Sequence, residues 1–260
     1  MKISALQLSV RLGDRRANQE NAAVQIEAAM PACPDVLALP ELWDIGFYPA
    51  NVLELGDEDG RLAREFLSAQ ARRHRVNIVG GSIVRRQGDK IWNTAYVFDR
   101  QGGLVSAYDK IHLFTLAGEH KLFQPGSALA LYELDNVPVG GITCYDIRFC
   151  ELPRSVALAG AKVLFVPAAW PHPRLRHWRV LVQARAVENQ FFVVAVNAAG
   201  QVNGVKLCGH SLMVDPWGEE IAEAGEEEQI LTGVCDLSVI ENIRNKLNMF
   251  RDRRPECYRL

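Results

Sequence analysis

Residues 137–149 read VPVGGITCYDIRF, in which a short apolar run leads directly to a cysteine, Cys144. Residues 137–143 have the length and the apolar content that are typical of a strand buried in a sheet. A cysteine, which can act as a nucleophile, is therefore the residue immediately after the predicted strand. In α/β sheets the strand ends are the places where functional sites form.

Two other apolar runs end in the same way. Residues 36–39 lead to Glu41, and residues 104–108 lead to Lys110. Together with Cys144, these positions put a carboxylate, an ammonium and a thiol at three strand ends. Their spacing along the chain does not by itself show that they meet.

The order of apolar runs predicts the fold class. Seven short runs predict strands at 36–39, 77–84, 94–98, 137–143, 162–167, 191–197 and 230–234. Four segments with helical spacing lie among them, at 17–30, 61–75, 151–159 and 175–190. This alternation predicts an α/β layered fold. At 91–111 two strand-like runs flank a QGG turn, which predicts an antiparallel hairpin.

The length of the chain and its lack of linkers and repeats predict the domain organisation. A chain of 260 residues suits one large domain, and no low-complexity linker or short repeat divides it. We therefore expect a single domain over 1–260. The segment 243–260 mixes basic side chains with apolar ones, so it is too charged for a core. We expect it to form a C-terminal strap across the surface or across a partner subunit.

Composition excludes several classes of protein. Apolar residues make up 48% and charged residues 23% of the chain, and the net charge is −2, so nothing indicates a nucleic-acid or membrane partner. No apolar run reaches the roughly 18 residues of a membrane span, and the first residues lack the apolar core of a signal peptide. The six cysteines show no metal-binding spacing. We expect a cytoplasmic protein whose thiols are reduced and mostly buried.

The three strand-end side chains form a set suited to acyl transfer. A cysteine attacks as its thiolate, and the ordinary thiol pKa of about 8.5 leaves little thiolate at neutral pH. A neighbouring lysine favours the thiolate and can stabilise an oxyanion. A glutamate can accept the thiol proton and later activate water.

The local sequences around these residues resemble the nitrilase superfamily, also called the carbon–nitrogen hydrolases. The resemblance starts from LPE at 39–41, YDKIHLF at 108–114 and GITCYDIRF at 141–149, and it continues through 184–190, 209–211 and 215–218. It covers nearly the whole chain. The combination of CYDIRF with AAWP at 168–171, HW at 177–178 and QARAVENQ at 183–190 is similar to the ω-amidase branch. Members of that branch hydrolyse the terminal amide of 2-oxoglutaramate or 2-oxosuccinamate.

The resemblance implies a fold, an assembly and a reaction. The family fold is a four-layer αββα sandwich, and its members commonly form homodimers or higher homo-oligomers. The implied reaction releases ammonia from a small ω-amide through a cysteine thioester, without a metal or an organic cofactor. Cys144 would be the nucleophile and Glu41 the general base. Lys110 and the backbone N–H of Tyr145 would stabilise the tetrahedral oxyanion.

Further positions carry implied roles. Glu119 matches a second glutamate that orients Lys110 and the substrate amide. Arg148 has two interpretations: it holds a substrate carboxylate as a bidentate fork, or it forms a salt bridge with Asp146 or Glu151.

Four further aromatic and acidic side chains lie in or near the matching segments. Trp170 is either a wall of the substrate pocket or part of the core, and Tyr48 is a weaker pocket candidate. We expect Glu188 to brace its helix rather than react. Asp109 stands where relatives often carry Arg, and its side chain should point away from that of Lys110, since neighbouring residues on a strand face opposite sides.

Other chemistries have less support. The chain has no HExxH, no clustered Cys and His, no GxSxG and no glycine-rich nucleotide motif. Hydrolysis of N-carbamoyl compounds or nitriles, and a non-catalytic binding role, remain alternatives. So does a redox sensor formed by Cys144 and Cys150, although we expect Cys150 to be a buried bystander in the next helix.

Overall fold

A computed structural model describes residues 1–258 of the chain. The last two positions of the predicted strap 243–260 lie outside the described residues. Within the described part, no helix has both the length and the apolar character needed to cross a membrane.

Strands outnumber helices in the described residues. The strands are β1 (Lys2–Gln7), β2 (Val36–Ala38), β3 (Asp57–Glu58), β4 (Asn77–Gln87), β5 (Lys90–Phe98), β6 (Leu104–Asp109), β7 (Ala130–Leu134), β8 (Val137–Gly141), β9 (Val163–Ala168), β10 (Phe192–Asn197), β11 (Gln201–Val202), β12 (Val205–Lys206), β13 (Leu212–Val214), β14 (Glu220–Glu223) and β15 (Gln229–Val234). The helices are α1 (Arg15–Ala29), α2 (Val52–Leu55), α3 (Arg61–His74), α4 (Glu119–Leu122), α5 (Glu151–Leu158), α6 (Leu175–Asn189) and α7 (Val239–Lys246).

The strands form two main sheets. The first has the order β15-β1-β2-β4-β5-β6, with β3 paired to the far end of β4. The second has the order β14-β13-β10-β9-β8-β7. In each sheet the central pairs β1–β2–β4 and β8–β9–β10 are parallel, and antiparallel strands complete the edges. The strands β11 and β12 form a separate small hairpin.

Strand β2 shows how the layers arise. Val36 and Ala38 face the second sheet and pack with Phe165 of β9, in the core between the sheets. Leu37 faces the opposite way and packs with Ile26 of α1 on the outer side. Every residue of the run is buried because alternate side chains enter two different cores.

The second sheet is covered in the same manner by α5 and α6. Leu164 of β9 packs with Val156 of α5 and Val182 of α6, in a core separate from the one between the sheets. The layer order is therefore helix, sheet, sheet, helix, and the predicted αββα sandwich is confirmed.

The predicted elements are confirmed with small shifts of their ends. All seven predicted strands overlap strands of the structure, and the four predicted helices correspond to α1, α3, α5 and α6. The predicted hairpin is β5–β6, which is antiparallel and adjoins β4 by a second antiparallel pairing. Sequence analysis did not predict β1, although it is central in its sheet.

The prediction that most cysteines are buried is wrong. Cys144, Cys208 and Cys235 are buried, but Cys33, Cys150 and Cys257 are exposed. The prediction that Cys150 is buried in the next helix is also wrong. Cys150 immediately precedes α5 at its N-terminus, which lies at the surface.

Candidate active site

The side chains at the three predicted strand ends meet in one buried site. Lys110 Nζ donates a hydrogen bond to Glu41 Oε1 at 2.8 Å, and both side chains have no exposed surface. The thiol of Cys144 lies close enough to Glu41 for the charge of that carboxylate to raise the thiol pKa. Residues far apart in the chain thus share one cluster.

Glu41 joins the two sheets. It follows β2 of the first sheet, yet its backbone N–H donates to the carbonyl of Ala168 at the end of β9 in the second, over 3.3 Å. In return, the N–H of Ala169 donates to Glu41 Oε2 at 2.9 Å. The carboxylate is therefore fixed from both sheets.

A close approach of β4 sets the position of the segment before Glu41. Gly81 has a φ of +60°, and a Cβ there would lie 2.0 Å from the carbonyl oxygen of Pro40. Only glycine fits this geometry. The next residue, Ser82, donates its N–H to the same carbonyl and accepts the N–H of Leu42 on its hydroxyl.

A second glutamate completes a buried acid pair. Glu119 begins α4, and its two oxygens accept from Lys110 Nζ at 3.1 and 2.9 Å. The N–H of Phe114 donates to Glu119 Oε2 at 2.6 Å. Asn93 of β5 donates to both acids, at 2.8 Å to Glu41 and 3.1 Å to Glu119. Lys110 is therefore held between two carboxylates that are themselves fixed.

Cys144 lies at a strained turn. It follows β8, begins a 3₁₀ helix (Cys144–Arg148), and has a φ of +47°, which side chains other than glycine rarely adopt. The next residue, Tyr145, has its N–H at the start of this helix, where backbone donors lack partners within the helix.

Asp146 ties this turn to the first sheet. Its Oδ2 accepts from the N–H of Thr143 at 2.9 Å and from the hydroxyl of Tyr108 at 2.7 Å. Its Oδ1 lies 2.8 Å from both the backbone N and Nδ1 of His112. The residues beside Cys144 and beside Lys110 are thus held together by one carboxylate.

The electrostatics of the cluster favour a charged lysine and a neutral thiol. Burial opposes the charge of Lys110, but the carboxylates of Glu119 and Glu41 prevail and raise its pKa well above the ordinary value. Burial, together with the charge of Glu41, raises the pKa of the Cys144 thiol well above its ordinary value, although Lys110 acts in the opposite direction. Lys110 favours the thiolate, as expected, but burial and Glu41 outweigh its effect on the thiol pKa.

A cavity of about 200 Å³ opens onto the sulfur. Cys144 and Lys110 both line it, although Cys144 is only 7% exposed. Tyr145, Arg148 and Trp170 line its walls, whereas Tyr48, the weaker pocket candidate, is not among the lining residues. Phe47, Phe114, Leu116, Val202, Val205 and Leu207 make the rest of the lining largely apolar.

Arg148 and Trp170 resolve the alternatives left open by the sequence. Within residues 1–258, Arg148 forms no salt bridge, and Asp146 is instead occupied by the turn described above. The Arg148 guanidinium lies 4.5 Å from the centroid of the Trp170 ring and 3.5 Å from His177 Nδ1. Trp170 is both wall and core, because it also packs on Trp178.

The remaining predicted positions lie around the cluster. Asp109 points away from Lys110, as expected, and accepts from Arg85 and Thr94. Glu188 pairs with Arg185 on the same helix, in agreement with a bracing role. Tyr48 is packed beside Phe123, and burial together with Glu119 and Glu41 raises its pKa far above the ordinary value.

Sequence reasoning missed three contributors. Asn93 bridges the two acids, the N–H of Ala169 anchors Glu41, and Arg174 lines the same cavity as Arg148. The sequence contains a signal for Asn93, because it is an amide among the mostly apolar residues of β5. The sequence contains no signal for the backbone N–H of Ala169. Across the described ranges, no group of three His, Cys, Asp or Glu side chains is arranged to hold a metal ion.

Known proteins share this sequence and fold. The family model for carbon–nitrogen hydrolases matches residues 2–245. The 2-oxoglutaramate amidase of Bacillus subtilis (strain 168) is 43% identical over 98% of this chain and 98% of that protein. The 2-oxoglutaramate amidase of Paenarthrobacter nicotinovorans is 35% identical over 86% of this chain and 80% of that protein.

Solved structures give the same result. A Saccharomyces cerevisiae member of branch 10 of the nitrilase superfamily superposes with a TM-score of 0.91 at 31% identity, over 98% of this chain and 96% of that one. A variant of the amidase from Nesterenkonia sp. AN1, with acrylamide added to its active site cysteine, superposes with a TM-score of 0.84 at 25% identity. The match covers 96% of this chain and 99% of that one.

The chain belongs to the carbon–nitrogen hydrolase family, the nitrilase superfamily. Within that family it is similar to the 2-oxoglutaramate amidases.

Proposed function

We propose that the protein hydrolyses the terminal amide of a small dicarboxylic acid half-amide such as 2-oxoglutaramate, and that Cys144 is its nucleophile. The observation that carries the proposal is the cavity lined by both Cys144 and Lys110, with Glu41 hydrogen-bonded to Lys110 and its charge acting on the thiol. The relatives named above supply the substrate class.

The first half of the reaction forms a thioester. Cys144 Sγ attacks the amide carbon while its proton passes to the Glu41 carboxylate, which suits a thiol that is neutral at rest. The oxyanion that forms is stabilised by Lys110 and by the backbone N–H of Tyr145. The carbon–nitrogen bond then breaks, the proton moves from Glu41 to the leaving nitrogen, and ammonia departs.

The second half returns the enzyme to its starting state. Water attacks the thioester carbon, and Glu41 takes one of its protons. The carbon–sulfur bond breaks, and that proton returns to the sulfur. The net change is amide plus water to carboxylic acid plus ammonia, so the steps require no external oxidant, reductant or cofactor.

Glu119 acts through Lys110 in this proposal. Its two oxygens and Glu41 hold the ammonium from opposite sides, which keeps Lys110 charged and aimed at the reacting carbonyl. Glu119 is therefore a positioning residue, and Tyr145, Arg148 and Trp170 bind the chain of the substrate.

A substrate panel tests the proposal. We expect ammonia release from 2-oxoglutaramate with a kcat/KM at least about tenfold above those for an N-carbamoyl amino acid and an aliphatic nitrile. The same preparation of Cys144→Ala measures any background. A higher kcat/KM for the carbamoyl compound or the nitrile would show that the proposed substrate class is wrong.

We further propose that the protein forms a homodimer or a higher homo-oligomer. Large apolar side chains stand exposed near the outer face of α6, among them Val180, Val187, Trp217 and Leu247. Such a patch is costly in water and is typical of an interface. Sedimentation equilibrium should give at least twice the monomer mass, and Val187→Glu should lower it.

The proposed domain organisation is one unit over 1–260 with the strap 243–260 packed on it. Within the described residues, the carbonyl of Leu247 accepts from Gln190 and Arg244 donates to the carbonyl of Gln190, so the strap lies against the end of α6. Phe250 contacts the guanidinium of Arg154. Six free thiols support the proposal that the protein acts in the reducing cytoplasm.

A further inference from the structure

A second arginine faces the same cavity as Arg148. Arg174 ends the 3₁₀ helix His172–Arg174, which follows Trp170 and leads into α6. Both guanidinium groups border the cavity that contains the sulfur. In the part of the chain that the structure describes, neither arginine is paired with a carboxylate.

Aromatic rings hold both guanidinium groups in place. Arg148 lies over Trp170, and the carbon of the Arg174 guanidinium lies 5.3 Å from the centroid of the Phe114 ring. Stacking of this kind fixes the plane of a guanidinium and leaves its N–H donors free at the edge. The indole N–H of Trp170 also donates to the carbonyl of Arg174 at 2.9 Å, which fixes the backbone.

The two cations oppose each other electrostatically. Burial is the main cause that lowers the pKa of Arg148, and the charge of Arg174 is the next. Two half-buried cations without a counter-ion are unfavourable in the empty site. An anion between them would offset that repulsion and accept hydrogen bonds from both guanidinium groups.

The catalytic cluster beside the cavity carries the reverse charge. Glu41, Glu119 and Lys110 together contribute two carboxylates and one ammonium, a formal excess of one negative charge. Of these three residues, Lys110 is the one that lines the cavity. A substrate carboxylate is therefore attracted by the two arginines and repelled by the excess charge of the cluster.

From this arrangement we infer that Arg174 is a specificity-determining residue, which together with Arg148 binds the carboxylate at the far end of a half-amide substrate. The inference rests on the proposed amidase function and adds to it the residue that selects amides with a carboxylate at the other end of a short chain. A neutral amide of the same length lacks the group that both arginines bind.

The test compares 2-oxoglutaramate with pentanamide, a neutral amide with the same number of carbons. We expect Arg174→Gln to lower the ratio of kcat/KM for 2-oxoglutaramate over pentanamide by about 10- to 100-fold, mainly through KM, because a charge-assisted hydrogen bond is lost. Arg176→Gln, which alters an exposed arginine two positions further along α6, is the matched control and should leave the ratio unaltered.

Two further variants make the test decisive. Arg174→Lys keeps the charge without the fork and should give an intermediate ratio; if Arg174→Gln fails to fold, this variant alone decides the matter. The double variant Arg148→Gln with Arg174→Gln should lose less than the product of the two single losses, since both side chains bind one group.

The outcomes separate the inference from the function. Wild-type hydrolysis of 2-oxoglutaramate with a ratio unaltered in both Arg174 variants overturns the inference and leaves the amidase proposal standing. Wild-type protein that hydrolyses neither amide overturns both. A ratio that falls in the Arg174 variants and not in Arg176→Gln supports the role of Arg174.

Discussion

Lys110 Nζ lies 2.8 Å from Glu41 Oε1 although 69 positions separate the two residues in the chain. The pair is fully buried, and Glu119 completes it from the other side. Breaking a buried ion pair by removing one partner is strongly destabilising. Substitutions that keep size and shape are therefore the informative ones at this site.

Replacing the sulfur tests the nucleophile. We expect Cys144→Ala to lower ammonia release from 2-oxoglutaramate on the order of 10⁴-fold or more, because no other group can form the thioester. Ammonia assay and circular dichroism should show lost turnover and an intact fold.

The matched control is Cys150→Ala, which alters an exposed thiol six positions away. It should retain wild-type turnover. Loss of activity in this control, or a Cys144–Cys150 disulfide in peptide maps after mild peroxide, would favour the redox-sensor alternative instead.

Glu119→Gln tests the positioning of Lys110. The carboxylate accepts from Lys110, Asn93 and the N–H of Phe114, whereas an amide has only one accepting oxygen and turns its NH₂ toward donors. We expect kcat to fall by about 10- to 100-fold. Steady-state kinetics should show the loss mainly in kcat, and thermal melting should show a lower Tm.

His120→Gln, which changes the exposed neighbour of Glu119 on α4, serves as the control and should behave as wild type. An unaltered kcat in Glu119→Gln would refute the positioning role.

Asp146→Asn tests the link between the nucleophile turn and the first sheet. The amide would turn a donor toward the donors of Thr143, Tyr108 or His112, at a cost of about 1–3 kcal/mol for each group left unpaired. We expect a lower free energy of unfolding and a lower kcat with little change in KM. Urea denaturation and steady-state kinetics measure the two effects.

Tyr108→Phe removes a single hydroxyl from the same network and should cost less on both measures. If Tyr108→Phe proved as damaging as Asp146→Asn, the carboxylate would not be the centre of the network.

Asp44 gives a pH-dependent stability. Burial raises the pKa of its carboxyl to about 6, against the opposing charge of Arg15. The folded state therefore holds this proton more tightly than the unfolded state, whose carboxyl has an ordinary pKa, so stability from this group falls as pH rises from about 4 to about 6.

Relative to Asp44→Asn, the wild-type free energy of unfolding should fall by about 1 kcal/mol between pH 5 and pH 7. Urea titrations of both proteins at the two pH values measure this difference. A constant difference across the range would mean that Asp44 keeps an ordinary pKa.

Much of the site could be predicted from sequence because its reactive groups follow recognisable strands. The segments that lead to Glu41, Lys110 and Cys144 each carry an apolar run and a distinctive neighbour pattern, although the strand before Lys110 is only partly buried. The sandwich itself follows from strand–helix alternation and from family resemblance. These signals are local, so a single sequence can contain them.

What sequence could not supply depends on distant parts of the chain. The N–H of Ala169 carries no side-chain signal, and Arg174 looks like one more surface arginine until the cavity exists. The exposure of Cys150 depends on which side of the α5 N-terminus faces the core, which a single residue cannot reveal. The thiol pKa depends on the sum of burial and charges, not on Lys110 alone.

The reacting groups come from both sheets: Glu41 and Lys110 follow strands of one, and Cys144 and Ala169 follow strands of the other. Neither half of the sandwich contains a working site. During renaturation, recovery of ammonia release should therefore coincide with the association of the two halves, even if each has already acquired its strands. Turnover therefore reports whether both halves have assembled. A truncated fragment that contains one half, and whose circular dichroism shows native secondary structure, would still be inactive.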